Sequence, residues 1–206
     1  MDVGAALVAV PRERFLPAGQ RRYAAKDAPL PIGHEVTNSQ PSTVRAMLEL
    51  LAPEPGDRVL DVGCGSGWTT ALLAHLVGPH GQVVGVEIVP EVLAFGAANL
   101  GVVPDELVAR TPEMRPERPV RPTIELHLAE LGVLGWPAGA PYDRILVSAD
   151  APDLPADLIA QLVPGGRLVG PVRGEMLRVT REAALERPRI ERHGRYLFVP
   201  LRTLER

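Results

Sequence analysis

From Arg58 onward, short β-branched apolar runs alternate with stretches whose apolar residues recur at helical spacing, the pattern of consecutive βαβ units. The predicted strands are 58–62, 83–87, 124–128, 144–148 and 167–171. Their near-continuous apolar character suits parallel strands buried on both faces. Between them, 68–77 places Leu72, Leu73, Leu76 and Val77 at helical spacing and ends at Gly78, and 90–100 opens with Pro90 and ends at Gly101. A third helix is predicted over 153–162, with Pro164-Gly165-Gly166 as the turn into the next strand. The pattern predicts an α/β fold: a doubly wound, mostly parallel sheet with helices on both faces.

Two flanking segments complete one predicted domain over 1–206. Residues 1–55 hold a Pro-punctuated stretch and a helix from about Ser42 to Ala52, with Val44, Met47, Leu48 and Leu51 on one stripe. They are expected to cap the core formed by 56–172. In the last part, 173–206, strands at about 176–181 and 195–201 are expected to form an antiparallel hairpin at one edge of the sheet. Residues 109–122 carry prolines at 112, 116, 119 and 122 among alternating charges, which predicts an exposed, extended loop.

Composition narrows the function. Hydrophobic residues make up 46% and charged residues 23%, so long disorder is a poor reading. A net charge of -3 leaves no basic excess for phosphates, and no nucleic-acid partner is expected. No stretch reaches the roughly 20 apolar residues of a membrane span, and Asp2 stands where a secretion signal is basic, so a cytoplasmic location with no membrane partner is expected. The single Cys64 cannot form an internal disulfide, and the five histidines show no ligand spacing, so no metal site is expected.

The chemistry concentrates at Val59-Leu60-Asp61-Val62-Gly63-Cys64-Gly65-Ser66-Gly67, a buried strand that breaks into a glycine-rich turn before a helix. Alternate glycines let a ligand lie against the backbone, and the helix presents free N–H groups there. Trp68 stands where a dinucleotide fingerprint needs a small residue, and Gly67-Trp68-Thr69 lacks the lysine of a phosphate-binding loop. Asp61 at the strand end favours a cationic ligand. Glu87 ends the next strand, where an acidic residue takes ribose hydroxyls. Together these features select S-adenosylmethionine.

The sequence resembles the class I S-adenosylmethionine-dependent methyltransferases, of Rossmann-like fold, and within them the protein-L-isoaspartate O-methyltransferase family. Beyond the glycine turn, the match rests on Val10-Pro11-Arg12-Glu13-Arg14-Phe15, Pro29-Leu30-Pro31-Ile32-Gly33 and Thr37-Asn38-Ser39-Gln40-Pro41. It continues in Gly135-Trp136-Pro137, Tyr142-Asp143-Arg144-Ile145 and Phe198-Val199-Pro200-Leu201. The resemblance implies methyl transfer to the carboxylate of isoaspartyl residues in damaged proteins, as a repair reaction. It places Ser39 as the residue that orients the acceptor. It places Thr37, Gly63, Cys64, Gly65, Ser66, Gly67 and Ile88 beside the cofactor with Asp61 and Glu87.

Three departures stand out. Where relatives carry an aspartate near adenine, this chain reads Glu130-Leu131-Gly132, so Glu130 and Leu131 are the adenine-side candidates and His127 a more remote one. Asn38 replaces a residue that is apolar in relatives, and 109–122 resembles an insertion. Two alternatives stay open: a relative that esterifies another carboxylate such as an ordinary aspartate, and a binding protein that keeps the fold without turnover. A monomer acting on isoaspartyl peptides or proteins is the expected state.

Overall fold

The computed structural model describes residues 2–102, 122–182 and 187–202. The N-terminal part begins with α1 (Val3–Ala9), capped by Asp2, whose carboxylate accepts from the Ala5 amide. A short antiparallel hairpin follows, β1 (Leu30–Gly33) and β2 (Val36–Asn38), and then α2 (Pro41–Leu51). The predicted stripe of Val44, Met47, Leu48 and Leu51 is the buried face of α2. Asp27, from the loop before the hairpin, accepts from the Ser42 amide and so satisfies a free donor in the first turn of α2.

The core alternates β3 (Arg58–Val62), α3 (Trp68–Val77), β4 (Gln82–Glu87) and α4 (Pro90–Leu100). It continues through β5 (Thr123–Leu128), β6 (Tyr142–Val147), α5 (Ala156–Ala160), β7 (Leu162–Val172), β8 (Glu175–Thr180) and β9 (Arg189–Arg195). The seven-stranded sheet has the order β5-β4-β3-β6-β7-β8-β9. It is parallel from β5 to β7 and antiparallel across β7, β8 and β9.

Alternate strand residues feed opposite faces. Val59 and Val83 join the cluster of Leu48, Leu51, Leu72 and Leu76 under α2 and α3. Leu60, Val62, Val84 and Val86 join Ile145, Val147 and Leu158 on the other face, beneath α5. β3 lies between β4 and β6, where the strand order reverses, and the carboxyl ends of these three strands therefore open the crevice in which such sheets bind ligands.

Three expectations are corrected. Pro164-Gly165-Gly166 does not end a helix; it lies inside β7 as an irregularity, where the Gly165 amide donates to the Arg181 carbonyl and the Arg181 amide donates to that of Gly166. The helix before it spans only Ala156–Ala160. The last strand is the polar segment Arg189–Arg195, not 195–201. Residues 196–201 instead run beside the end of β6, where the Asp150 amide donates to the Val199 carbonyl and the Leu201 amide donates to the Asp150 carbonyl. The loop expected over 109–122 lies outside the described residues, except for Pro122.

Candidate active site

Two adjoining compartments occupy the crevice at the carboxyl ends of β3, β4 and β6, and share Val36, Gly63, Ser148 and Val199. The larger, about 750 Å³, is lined by hydroxyl and amide residues from the segment 37–43 and by the glycine turn. The smaller is mostly apolar, with Ile88, Val89, Ala129 and Leu134 around the carboxylate residue Glu87. Two compartments joined at a neck of four shared residues, one of them carrying many hydroxyl and amide groups, suit an amphipathic ligand laid across the strand ends.

The turn after β3 is built for close approach. Gly63 and Gly65 have φ of 75° and 55°, a left-handed backbone that costs a residue with a Cβ. Both line the larger compartment with Cys64 and Ser66, so the ligand face of the turn is backbone and small side chains. Burial pushes the Cys64 thiol well up from its usual range, as do the neighbouring Asp61 and Glu87 charges, so it is no nucleophile.

Glu87 ties the two strand ends together. One of its oxygens accepts from the amides of Ile88 at 2.8 Å and Val89 at 3.1 Å, and the other accepts from the Gly65 amide at 3.0 Å. A carboxylate offers about four lone-pair sites, so three are filled and one remains for a hydroxyl donor. Glu87 is 4% exposed, and its remaining capacity belongs to the compartment it lines.

Ser39 and Thr37 line the larger compartment, held there by a side chain far away in sequence. Arg12, 6% exposed, donates six hydrogen bonds, all to neutral oxygens. Its Nη2 bonds the carbonyls of Asn38 and Ser39, both at 2.9 Å, and that of Ala28 at 2.8 Å. Its Nε bonds the Asn38 side-chain oxygen at 2.6 Å. Burial lowers the Arg12 pKa to about 10, opposed by the nearby Asp27 charge, and the guanidinium remains charged at neutral pH. Trp68 packs beside it, with the guanidinium carbon 5.5 Å from the ring centroid and the indole N–H donating to the Val10 carbonyl.

Five of the residues read from the sequence lie elsewhere. Asp61 is fully buried and lines neither compartment; one oxygen accepts from the hydroxyls of Thr69 and Thr70, both at 2.7 Å, so it holds the first turn of α3. Burial raises its pKa to about 6, against the two hydroxyls that lower it. Gly67 is turned away, and a Cβ there would stand 2.8 Å from Leu100. Glu130 and Leu131 are exposed and line neither compartment; their neighbours Ala129, Val133 and Leu134 do so instead. His127 stacks on Trp136 at 3.9 Å between ring centroids and lines neither compartment.

Sequence reasoning assigned no role to Ser148, Arg12 or Arg195. Ser148 is the one polar side chain among the four residues at the neck. Arg195 is the only charged residue among the described residues that line the larger compartment. Among the described residues, no group of three or more His, Cys, Asp or Glu is placed to hold a metal ion, and no helix is long and apolar enough to cross a membrane.

A glycine turn and an acidic strand end at the switch point, with two joined compartments over them, mark the site as that of a class I S-adenosylmethionine-dependent methyltransferase. The family model for protein-L-isoaspartate(D-aspartate) O-methyltransferase matches residues 1–206. The chain belongs to that family. It is 40% identical over 205 residues to the protein-L-isoaspartate O-methyltransferase of Methanopyrus kandleri, covering 97% of this chain and 82% of that one. It is 44% identical over 205 residues to that of Anaeromyxobacter dehalogenans, covering 95% and 87%. The fold is that of a Plasmodium falciparum methyltransferase of the same description, solved with S-adenosyl-L-homocysteine: the TM-score is 0.75 at 21% identity, over 97% of this chain and 89% of that chain.

Proposed function

We propose that the protein methylates the free carboxylate of L-isoaspartyl residues in damaged proteins, with Ser39 orienting the acceptor and the turn 63–66 and Glu87 holding the donor. The observation that carries this reading is the shared neck. One compartment presents Glu87 and an apolar wall, the other presents Ser39, and both open onto Gly63 and Ser148.

The residues fit the donor. The left-handed glycines leave its side of the turn open, and Glu87 keeps one acceptor site for a ribose hydroxyl. S-adenosylmethionine supplies an activated methyl on a positively charged sulfur. The protein's own task is placement. An isoaspartyl carboxylate is ionised at neutral pH, so no general base is needed. Ser39 donates a hydrogen bond to one acceptor oxygen, keeping its proton, and leaves the other oxygen free to attack. Positioning of this kind supplies up to roughly 7–11 kcal/mol of the barrier.

A monomeric enzyme is part of the same proposal, a state that sedimentation tests directly. The cytoplasmic expectation belongs to the same proposal and is checked by cell fractionation. The functional test offers isoaspartyl and aspartyl versions of one peptide with labelled S-adenosylmethionine. Methylation of the isoaspartyl peptide alone is the expected result. Preference for the aspartyl peptide would reassign the acceptor, and donor binding without label transfer would leave a binding protein.

A further inference from the structure

We propose that Asn38 couples the acceptor segment to the donor cradle, so that occupancy of the glycine turn orders Ser39 through an Arg12–Asn38–Ser66 relay. The inference rests on the reading of the cleft given above and goes beyond it, because neither Asn38 nor Arg12 is needed to touch donor or acceptor.

The direction of the relay follows from hydrogen-bond chemistry. An arginine can only donate, so the Asn38 atom facing its Nε at 2.6 Å is the amide oxygen. The Asn38 amide nitrogen then points the other way and donates to Ser66 Oγ at 2.9 Å. Ser66 belongs to the glycine turn and Asn38 adjoins Ser39, so one buried side chain spans the two halves of the cleft. Asn38 is 4% exposed and Ser66 3% exposed, which shields both bonds from water. Ser66 Oγ, having accepted from Asn38, keeps its own proton for a partner in the cleft.

Arg12 supplies the fixed end. Its Nη2 grips the carbonyls of Ala28, Asn38 and Ser39 while Nη1 grips those of Ala24 and Lys26, so the segment moves with the relay and not residue by residue. A leucine at 38 would keep the volume and the backbone bonds to Arg12, yet sever the link to Ser66. A donor that settles Ser66 therefore settles Ser39, and by linkage an acceptor held at Ser39 tightens the donor by the same factor. Arg12 and Asn38 are positioning residues in this scheme.

The test measures hydrogen exchange of the amides of 36–42, with and without S-adenosylhomocysteine, in the wild type, Asn38→Leu and Ser66→Ala. Calorimetry of isoaspartyl peptide binding in the same two states accompanies it. In the wild type, S-adenosylhomocysteine is expected to slow exchange in 36–42 and to tighten the peptide, each by about tenfold. Both effects should shrink to under about twofold in either variant. A purely structural role for Asn38 would lower melting temperature and leave the coupling factor intact, and that result overturns the relay. Should Asn38→Leu fail to fold, Ser66→Ala carries the test alone. A wild type that binds the ligand without any response in 36–42 overturns this inference and spares the enzyme. A wild type that binds no S-adenosylhomocysteine overturns both.

Discussion

The Glu87 carboxylate and the Gly65 amide meet at 3.0 Å, joining the loops that leave two neighbouring parallel strands. Glutamine cannot replace glutamate here. Its single oxygen can face either Gly65 or the amides of Ile88 and Val89, and its NH₂ group is then set against the other donors. Glu87→Gln is expected to weaken S-adenosylhomocysteine by on the order of 10- to 100-fold, about 1.5–3 kcal/mol for a hydrogen-bonded charged group. Calorimetry on the folded variant checks this, and an unchanged affinity would remove Glu87 from the donor site.

Ser39→Ala should lower kcat by about 10- to 100-fold, the value of one hydrogen bond to a charged group, with donor affinity unchanged. Steady-state kinetics beside calorimetry separates the two quantities. Undiminished turnover would take the hydroxyl out of the scheme.

Asp61 gives stability a pH dependence whose sign is fixed. Burial raises its pKa from about 3.8, the ordinary aspartate value, to about 6 in the folded protein. The protonated form is therefore favoured by folding; this contribution is fully present below about pH 4 and is lost as pH rises through 6. Asp61→Asn, which cannot ionise, should gain on the wild type above pH 6, by up to on the order of 2–3 kcal/mol, and lose that gain near pH 4. Denaturant melts at pH 4 and pH 8 measure the difference. An advantage independent of pH would mean that the carboxyl titrates normally.

Arg195 lines the larger compartment while its cross-strand neighbour Glu175 is ion-paired to Arg192. A single exposed cation at the lip acts over about 10 Å at 0.1 M salt. Arg195→Ala should raise KM for acidic isoaspartyl peptides by about fivefold at low salt and little at high salt, with kcat preserved. A KM that is indifferent to both salt and substitution would contradict it.

Much of the core was legible because parallel strands buried on both faces announce themselves as apolar runs, and the glycine turn stood between one such run and a helix. The N-terminal hairpin was not. Leu30–Gly33 and Val36–Asn38 are short, the first carries Pro31, and what holds them is Arg12, whose bonds to Asn38 span 26 positions. The outer strand was missed for the opposite reason: Arg189–Arg195 lies at a solvated edge and needs no apolar face, while the apolar Leu197-Phe198-Val199 mimics a strand and lines the cleft.

In the site, the sequence groups the small and acidic residues together, and the structure separates them by depth. Asp61 sits at a strand end, as Glu87 does, yet two threonine hydroxyls draw it beneath the helix. The adenine-side expectation fell on Glu130 and Leu131 because they stand where relatives carry an aspartate, whereas the residues of that segment that line the smaller compartment are Ala129, Val133 and Leu134. Asn38 did leave a trace, as an amide in a position expected to be apolar. Its meaning needed the partners on either side.

The clip between Asp150 and Val199-Pro200-Leu201 has a consequence for biosynthesis. Of all the pieces that enclose the cleft, 195–202 emerges last from the ribosome. A nascent chain acquires the glycine turn and Glu87 well before it owns the wall that 195–202 supplies to both compartments. A chain cut before that stretch would leave each compartment open on one side, since Val199 lines both.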